Sequence, residues 1–168
     1  MHKITLIGPR SVGKTTVGKL LAKKLHVKYF DFDRYVKNKL KGIDLHIKKY
    51  GADSYRKEES KILVKFLSKL PSQFVISAGG GTVASQLKKI SQENVKKLKK
   101  KSKIVYLAAE STKILHQREK KRKGNKPFSE TKKLFELRKP VYERIYDIKI
   151  LVKNKPAKKI VEEIMTKI

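Results

Sequence analysis

The chain has no cysteine, which excludes disulfides, thiolate zinc sites, iron–sulfur clusters and a thiol nucleophile together. Its four histidines, at positions 2, 26, 46 and 116, lack the HExxH-type spacing of a zinc hydrolase. No apolar run approaches the ~18 residues that a membrane span needs. The N-terminal ITLIG is too short for the hydrophobic region of a secretory signal. A cytoplasmic protein with no membrane partner is therefore expected. Acidic residues are scarce, 15 against 44 basic ones, for a formal net charge of +29. Arginine is scarce as well: seven of the 44 basic residues, at 10, 34, 56, 118, 122, 138 and 144. Lysine is a hydrated point charge, whereas arginine reads phosphates and bases through a planar fork. The run KKLKKKSK at 96–103 contains no aromatic residue. Charge thus leaves two readings open, a nucleic-acid binder held by phosphate contacts and an enzyme with a lysine-rich surface. The second is the expectation, with no specific nucleic-acid partner.

What the chain does have is a regular alternation. At 168 residues it fits one domain, on the usual ~100–200 residues per domain. Short β-branched or aromatic runs at Ile4–Ile7, Lys28–Asp31, Phe74–Ser77, Ile104–Leu107 and Ile148–Val152 read as buried strands. Between them, apolar residues recur at helical spacing in Lys14–Leu25, in Ser54–Leu70 and after Pro156. Alternating strands and helices predict an α/β domain in which a parallel sheet is covered by helices. Two segments are poor in apolar residues. Gln92–Lys103 predicts a mostly solvated helix. Arg118–Lys126 is wholly polar and is followed by Pro127, as befits a mobile flap.

The strongest motif is Gly8-Pro-Arg-Ser-Val-Gly13-Lys14-Thr15, a GxxxxGK[ST] loop between a predicted strand and a predicted helix. Its glycines let successive main-chain N–H groups turn inward around an anion, and the helix dipole adds positive potential there. Lys14 would reach the β- and γ-phosphates, and Thr15 offers magnesium a hard oxygen. The acceptor of the phosphoryl group is left open by this loop. Asp31 and Asp33 end the second strand, and strand alternation would put both carboxylates on one face. One would serve a metal and the other a reacting hydroxyl, or the two would simply cap a helix. Phe74-Val-Ile-Ser-Ala-Gly79-Gly80-Gly81-Thr82 places three glycines at a strand end. That run is costly in chain entropy unless close approach is needed. A substrate ring could lie there against bare main chain, with Thr82 capping the next helix. Arg56 and Arg138 suit a small carboxylate bidentately, although Arg56 and Glu59 could also form an ordinary i,i+3 surface pair.

Together these residues resemble the shikimate kinase family, small P-loop kinases similar to nucleoside monophosphate kinases. The resemblance rests on GPRSVGKTT (8–16), FDFD (30–33), YRKEE (55–59), SAGGGTV (77–83), NKPF (125–128) and LRKPVYERIYDI (137–148), in order along essentially the whole chain. It implies a three-layer α/β/α fold with a five-stranded parallel sheet of order 2-3-1-4-5. It also implies magnesium-dependent transfer of the γ-phosphoryl of ATP to the 3-hydroxyl of shikimate, by a monomer serving aromatic amino acid biosynthesis. Residues 1–168 would form one kinase domain. Its core is 1–31, 71–117 and 131–168, its substrate-binding helices about 32–70 and its lid about 118–130. By the resemblance, Ser11, Val12, Gly13, Lys14, Thr15 and Thr16 cradle ATP, with Arg118 and Lys126 from the lid. Thr15 and Asp31 serve magnesium. Asp33, Arg56, Gly79, Gly80, Gly81 and Arg138 bind shikimate, and Lys14, Asp33 and Lys126 carry the catalysis. The chain departs from the family in having Lys126-Pro127-Phe128-Ser129 where Arg-Pro-Leu-Leu is usual. It also has Ser11 in place of a common glycine, and Ala52-Asp53 after Gly51 where a glutamate is usual. A gluconate or nucleotide kinase of the same fold is the competing enzyme, and a basic nucleic-acid-binding protein with a nucleotide switch the competing class.

Overall fold

A computed structural model of the chain describes residues 2–120 and 128–168, with the side chains of 128–130 left aside. The five apolar runs are strands: β1 (Lys3–Ile7), β2 (Lys28–Asp31), β3 (Phe74–Ser77), β4 (Lys103–Ala109) and β5 (Ile148–Val152). They pair in parallel throughout, in the order β2-β3-β1-β4-β5. The helices are α1 (Lys14–Lys24), α2 (Phe32–Lys39), α3 (Ile43–Ser68), α4 (Gly80–Val83), α5 (Lys88–Lys101), α6 (Thr112–Lys120), α7 (Phe128–Ile145) and α8 (Ala157–Met165).

Side-chain alternation along the strands divides the core in two. Ile4, Leu6, Val75, Val105, Leu107 and Ile150 pack on one face with Val17 and Leu21 of α1 and Ile160 and Ile164 of α8. Ile7, Phe74, Ile76, Ile104 and Tyr106 pack on the other with Phe32 and Val36 of α2, Leu63 and Phe66 of α3 and Leu98 of α5. Each such side chain, fully buried, contributes about 1.5–3 kcal/mol. A parallel sheet requires helices on both faces, and three layers result. The strand order reverses at β1, which lies between β3 and β4. An open α/β sheet has its ligand crevice at such a point, beyond the C-terminal strand ends.

Three local expectations change. Helix α3 begins at Ile43, well before Ser54, and bends at Gly51 (φ 83°, ψ 162°), so its two halves do not share one apolar stripe. Helix α5 starts at Lys88 and ends before Lys103, which belongs to β4. As expected it is largely solvated, with Ser91, Asn94 and Leu98 as its buried line. The pleat does not bring Asp31 and Asp33 to one face, because the strand stops at Asp31. Asp31 is the N-cap of α2, accepting a hydrogen bond from the Arg34 backbone N–H at 3.1 Å, and Asp33 lies in the helix's first turn. Among the described residues no helix is long and apolar enough to cross a membrane.

Candidate active site

Residues 8–13 carry the chain from β1 into α1, and Gly13 (φ 107°) is the N-cap of that helix. The Lys14 ammonium donates to the carbonyl oxygens of Gly8 (2.9 Å) and Pro9 (2.8 Å). It thereby clasps the loop and keeps its charge beside the positive end of the α1 dipole. Ser11, Gly13, Lys14 and Thr15 line one side of a cleft of about 520 Å³. Ser11 is held at φ 62°, and its buried Oγ has no hydrogen-bond partner among the described residues. A left-handed backbone costs a non-glycine residue ~1–2 kcal/mol, and glycine loses ~0.5–1 kcal/mol more chain entropy on folding. Ser11→Gly is therefore expected to stabilise the protein by about 0.5–1 kcal/mol, read by urea unfolding. A fall in the midpoint would mean that the hydroxyl itself supports the loop.

Thr15 Oγ1 donates to Asp31 Oδ2 at 3.3 Å, and the Tyr29 hydroxyl, paired with Ser77 Oγ at 2.6 Å, approaches the same carboxylate oxygen at 3.4 Å. Two hard oxygens thus stand together beside the phosphate loop. Among the described residues no group of three or more His, Asp or Glu could hold a metal ion unaided. The donor set suits magnesium, which takes one or two protein oxygens and completes its shell with phosphates and water.

On the opposite side, Gly79–Gly81 follow β3, and α4 is the single turn that they open. Each glycine stands where another residue needs room. A Cβ at Gly79 would overlap the Asp33 carboxylate, and one at Gly81 would overlap the Arg56 guanidinium. At Gly80 it would come within 2.5 Å of the Tyr142 hydroxyl and 2.9 Å of Arg138 Nη1. The triplet therefore gathers Asp33, Arg138 and Arg56 into the cleft that Lys14 also lines. Arg138 is steadied by an Nε–H bond of 3.1 Å to the Ala84 carbonyl.

The Arg56–Glu59 pair exists, at 2.7 Å, but it is no surface pair, because the Glu59 side chain is 1% exposed. Glu59 Oε1 also accepts from Thr82 Oγ1 (2.9 Å) and from the Tyr55 hydroxyl (3.3 Å), so a buried, fully used carboxylate fixes the guanidinium. Thr82 does not cap the next helix. It lies inside α4, whose N-cap position belongs to Gly79, and its hydroxyl serves Glu59. The Asp33 carboxylate is open to the cleft but has protein on its other sides. The lost hydration raises its pKa above the ordinary 3.8; Lys14 opposes this, Glu59 and Asp31 add to it, and Arg56 opposes it. Burial pushes the Tyr142 hydroxyl up to about 12, so it stays neutral beside Arg138.

Several expected residues lie off the cleft lining. Val12 packs in the core and Thr16 faces outward. Arg118 reaches the back of the loop, donating to the Val12 carbonyl at 3.4 Å. Lys126 and most of the lid segment 118–130 fall outside the described residues. Other residues enter the site unannounced by the sequence. Ile43 and Ile47 give the cleft an apolar wall. The buried Glu119 pairs with Arg10 at 2.8 Å and accepts from Thr131 at 3.1 Å. Glu59 carried a signal in its spacing from Arg56, whereas Ile43 and Ile47 belonged to a stretch with no clear period.

Comparison with known proteins bears on the family and the fold. The family profile described as shikimate kinase matches residues 10–168. The shikimate kinase of Sulfurihydrogenibium sp. is 34% identical over 173 residues, covering 100% of this chain and 98% of its own. The crystal structure of shikimate kinase from Aquifex aeolicus is 31% identical with a TM-score of 0.79, over 97% of this chain and 94% of that one. The shikimate kinase from Acinetobacter baumannii, solved in complex with shikimate, is 26% identical with a TM-score of 0.82, over 97% and 90% of the two chains. Because the likeness runs along nearly the entire chain and not through the phosphate loop alone, the chain belongs to the shikimate kinase family.

Proposed function

We propose that the chain transfers the γ-phosphoryl group of ATP to the 3-hydroxyl of shikimate, and that its residues divide the work as follows. The main-chain amides of residues 11–16 and the Lys14 ammonium bind the phosphates. Arg56 and Arg138 hold the shikimate carboxylate as two planar forks, with the Gly79–Gly81 main chain beneath the ring. Asp33 accepts a hydrogen bond from the 3-hydroxyl and takes its proton as the phosphoryl group arrives. Thr15 and Asp31 hold magnesium, which neutralises phosphate charge when bound. From the family resemblance, Arg118 and Lys126 belong to a lid over ATP, and residues 32–70 to the shikimate side of a single kinase domain. The observation that carries this reading is the convergence of Asp33, Arg56 and Arg138 on one glycine triplet, in the cleft that Lys14 lines.

Phosphoryl transfer asks little covalent chemistry of a protein and much positioning. The Glu59 carboxylate and the Ala84 carbonyl hold the two guanidiniums before shikimate arrives, which lowers the ordering cost of binding. Release of ADP, followed with shikimate, gluconate and AMP as rival acceptors, tests the assignment. Turnover with shikimate supports it, and turnover with only another acceptor overturns it. Arg138→Lys keeps the charge but removes the fork and the Nε–H bond to Ala84. It is expected to raise the KM for shikimate about 10–30-fold, roughly the worth of one charge-assisted hydrogen bond, with the KM for ATP little changed. An unchanged shikimate KM would take Arg138 out of the clamp.

A further inference from the structure

Helix α5 lies outside the cleft and is coated with lysine, yet it buries one amide: Asn94 is 1% exposed. A buried amide is costly unless both of its ends are paired, and both are. Asn94 Nδ2 donates to the Thr82 carbonyl at 2.9 Å, and Asn94 Oδ1 accepts from Ser60 Oγ at 2.6 Å. Thr82 in turn donates to Glu59, the neighbour of Ser60 in the chain, and Glu59 holds Arg56. The contacts form a closed ring that leaves α3 at Ser60, crosses to α5, enters α4 and returns to α3 at Glu59.

We propose that Asn94 is a positioning residue for the acceptor site, fixing α4 and, through Thr82 and Glu59, the guanidinium of Arg56. The inference rests on the reading of Arg56 as a ligand of the shikimate carboxylate. Its physical basis is the weakness of α4. A single turn of four residues does not hold its own shape, and among backbone bonds it has Thr82 N–H to Gly79 O and Ala84 N–H to Gly80 O. Asn94 supplies a fastening from outside, at the carbonyl of the same residue whose hydroxyl makes the Glu59 contact. It does not line the cleft, so any effect on substrate passes through the residues it holds.

Asn94→Leu tests this, because leucine branches at Cγ as asparagine does and suits a buried position but can make neither hydrogen bond. Its KM for shikimate is expected to rise about tenfold, the equivalent of ~1.4 kcal/mol, while the KM for ATP stays within about twofold. Ser60→Ala removes one link and is expected to raise the shikimate KM about threefold. Ser91→Ala alters another buried polar residue of the same helix, outside the ring, and is expected to move neither constant. An unchanged shikimate KM in Asn94→Leu, or an ATP KM rising in step with it, overturns the proposal. Should Asn94→Leu not fold, an unchanged shikimate KM in Ser60→Ala overturns it instead. Arg56→Lys, measured alongside, separates the two levels. If it leaves the shikimate KM unchanged, the clamp assignment fails and this inference with it. If it raises that KM while Asn94→Leu does not, the Asn94 inference alone is wrong.

Discussion

Asp33→Asn is expected to lower kcat by about 10²–10⁴-fold, the usual worth of a positioned general base, while ATP binds as before. Asparagine has the same shape and can still hold the hydroxyl, but it cannot take the proton. Asp33 suits that task because crowding in the cleft lifts its pKa, with Lys14 limiting the rise. The same shift has a consequence for stability. A carboxyl group whose pKa is raised on folding binds its proton more tightly in the folded state. Stability therefore falls as pH rises through the unfolded value toward the folded one, and stays lower above it. Asp33→Asn is uncharged at every pH, so its melting temperature at pH 7 should exceed that of the wild type, and the difference should shrink toward pH 4. Turnover close to wild type would remove Asp33 from the chemistry. A lower melting temperature at pH 7 would show that its charge is stabilised and not merely tolerated.

Alanine at successive glycines of the triplet should separate turnover from binding. A methyl group at Gly79 meets the carboxylate of Asp33. A displacement of about 1 Å at a reacting group costs roughly 10² in rate, and Gly79→Ala is expected to lose about that much kcat. A methyl group at Gly81 meets the guanidinium of Arg56, which Glu59 prevents from swinging aside. Gly81→Ala is expected to raise the shikimate KM by about 10–100-fold, in line with the ~1.5–3 kcal/mol of a charged hydrogen bond, with kcat less affected. Steady-state kinetics at saturating ATP reads both. Equal losses of kcat and affinity in the two variants would mean that the glycines serve the main chain's own path and not the room that those side chains need.

The strands were legible to within two or three residues because each is a short β-branched or aromatic run; β1, β3 and β4 are buried on both faces, while the edge strands β2 and β5 keep exposed positions. The first half of α3 was not, since Gly51 changes the chain's direction and the polar stretch beside it breaks the period. For Asp31 and Asp33 the strand-alternation reading fails and the helix-cap alternative holds in part, since Asp31 caps α2. A helix starts at Phe32, so a cap and a first turn bring them to the cleft where a pleat was expected to. The glycine triplet was visible, but not the overlap with Asp33, Arg138 and Arg56, because that depends on residues distant in the chain. Asn94 was hidden altogether: on a lysine-rich helix a single asparagine looks like one more solvated residue.

The clasp of Lys14 on the Gly8 and Pro9 carbonyls lies within one short stretch of chain, whereas Asp33, Arg56, the triplet and Arg138 come from four distant stretches. On the proposed division of residues, the grip on the phosphates is thus a local property of the polypeptide, and acceptor recognition a global one. Loop closure makes distant contacts slower and costlier to form than near ones. During refolding, the capacity to hold a triphosphate can therefore arise before the capacity to discriminate among small acids.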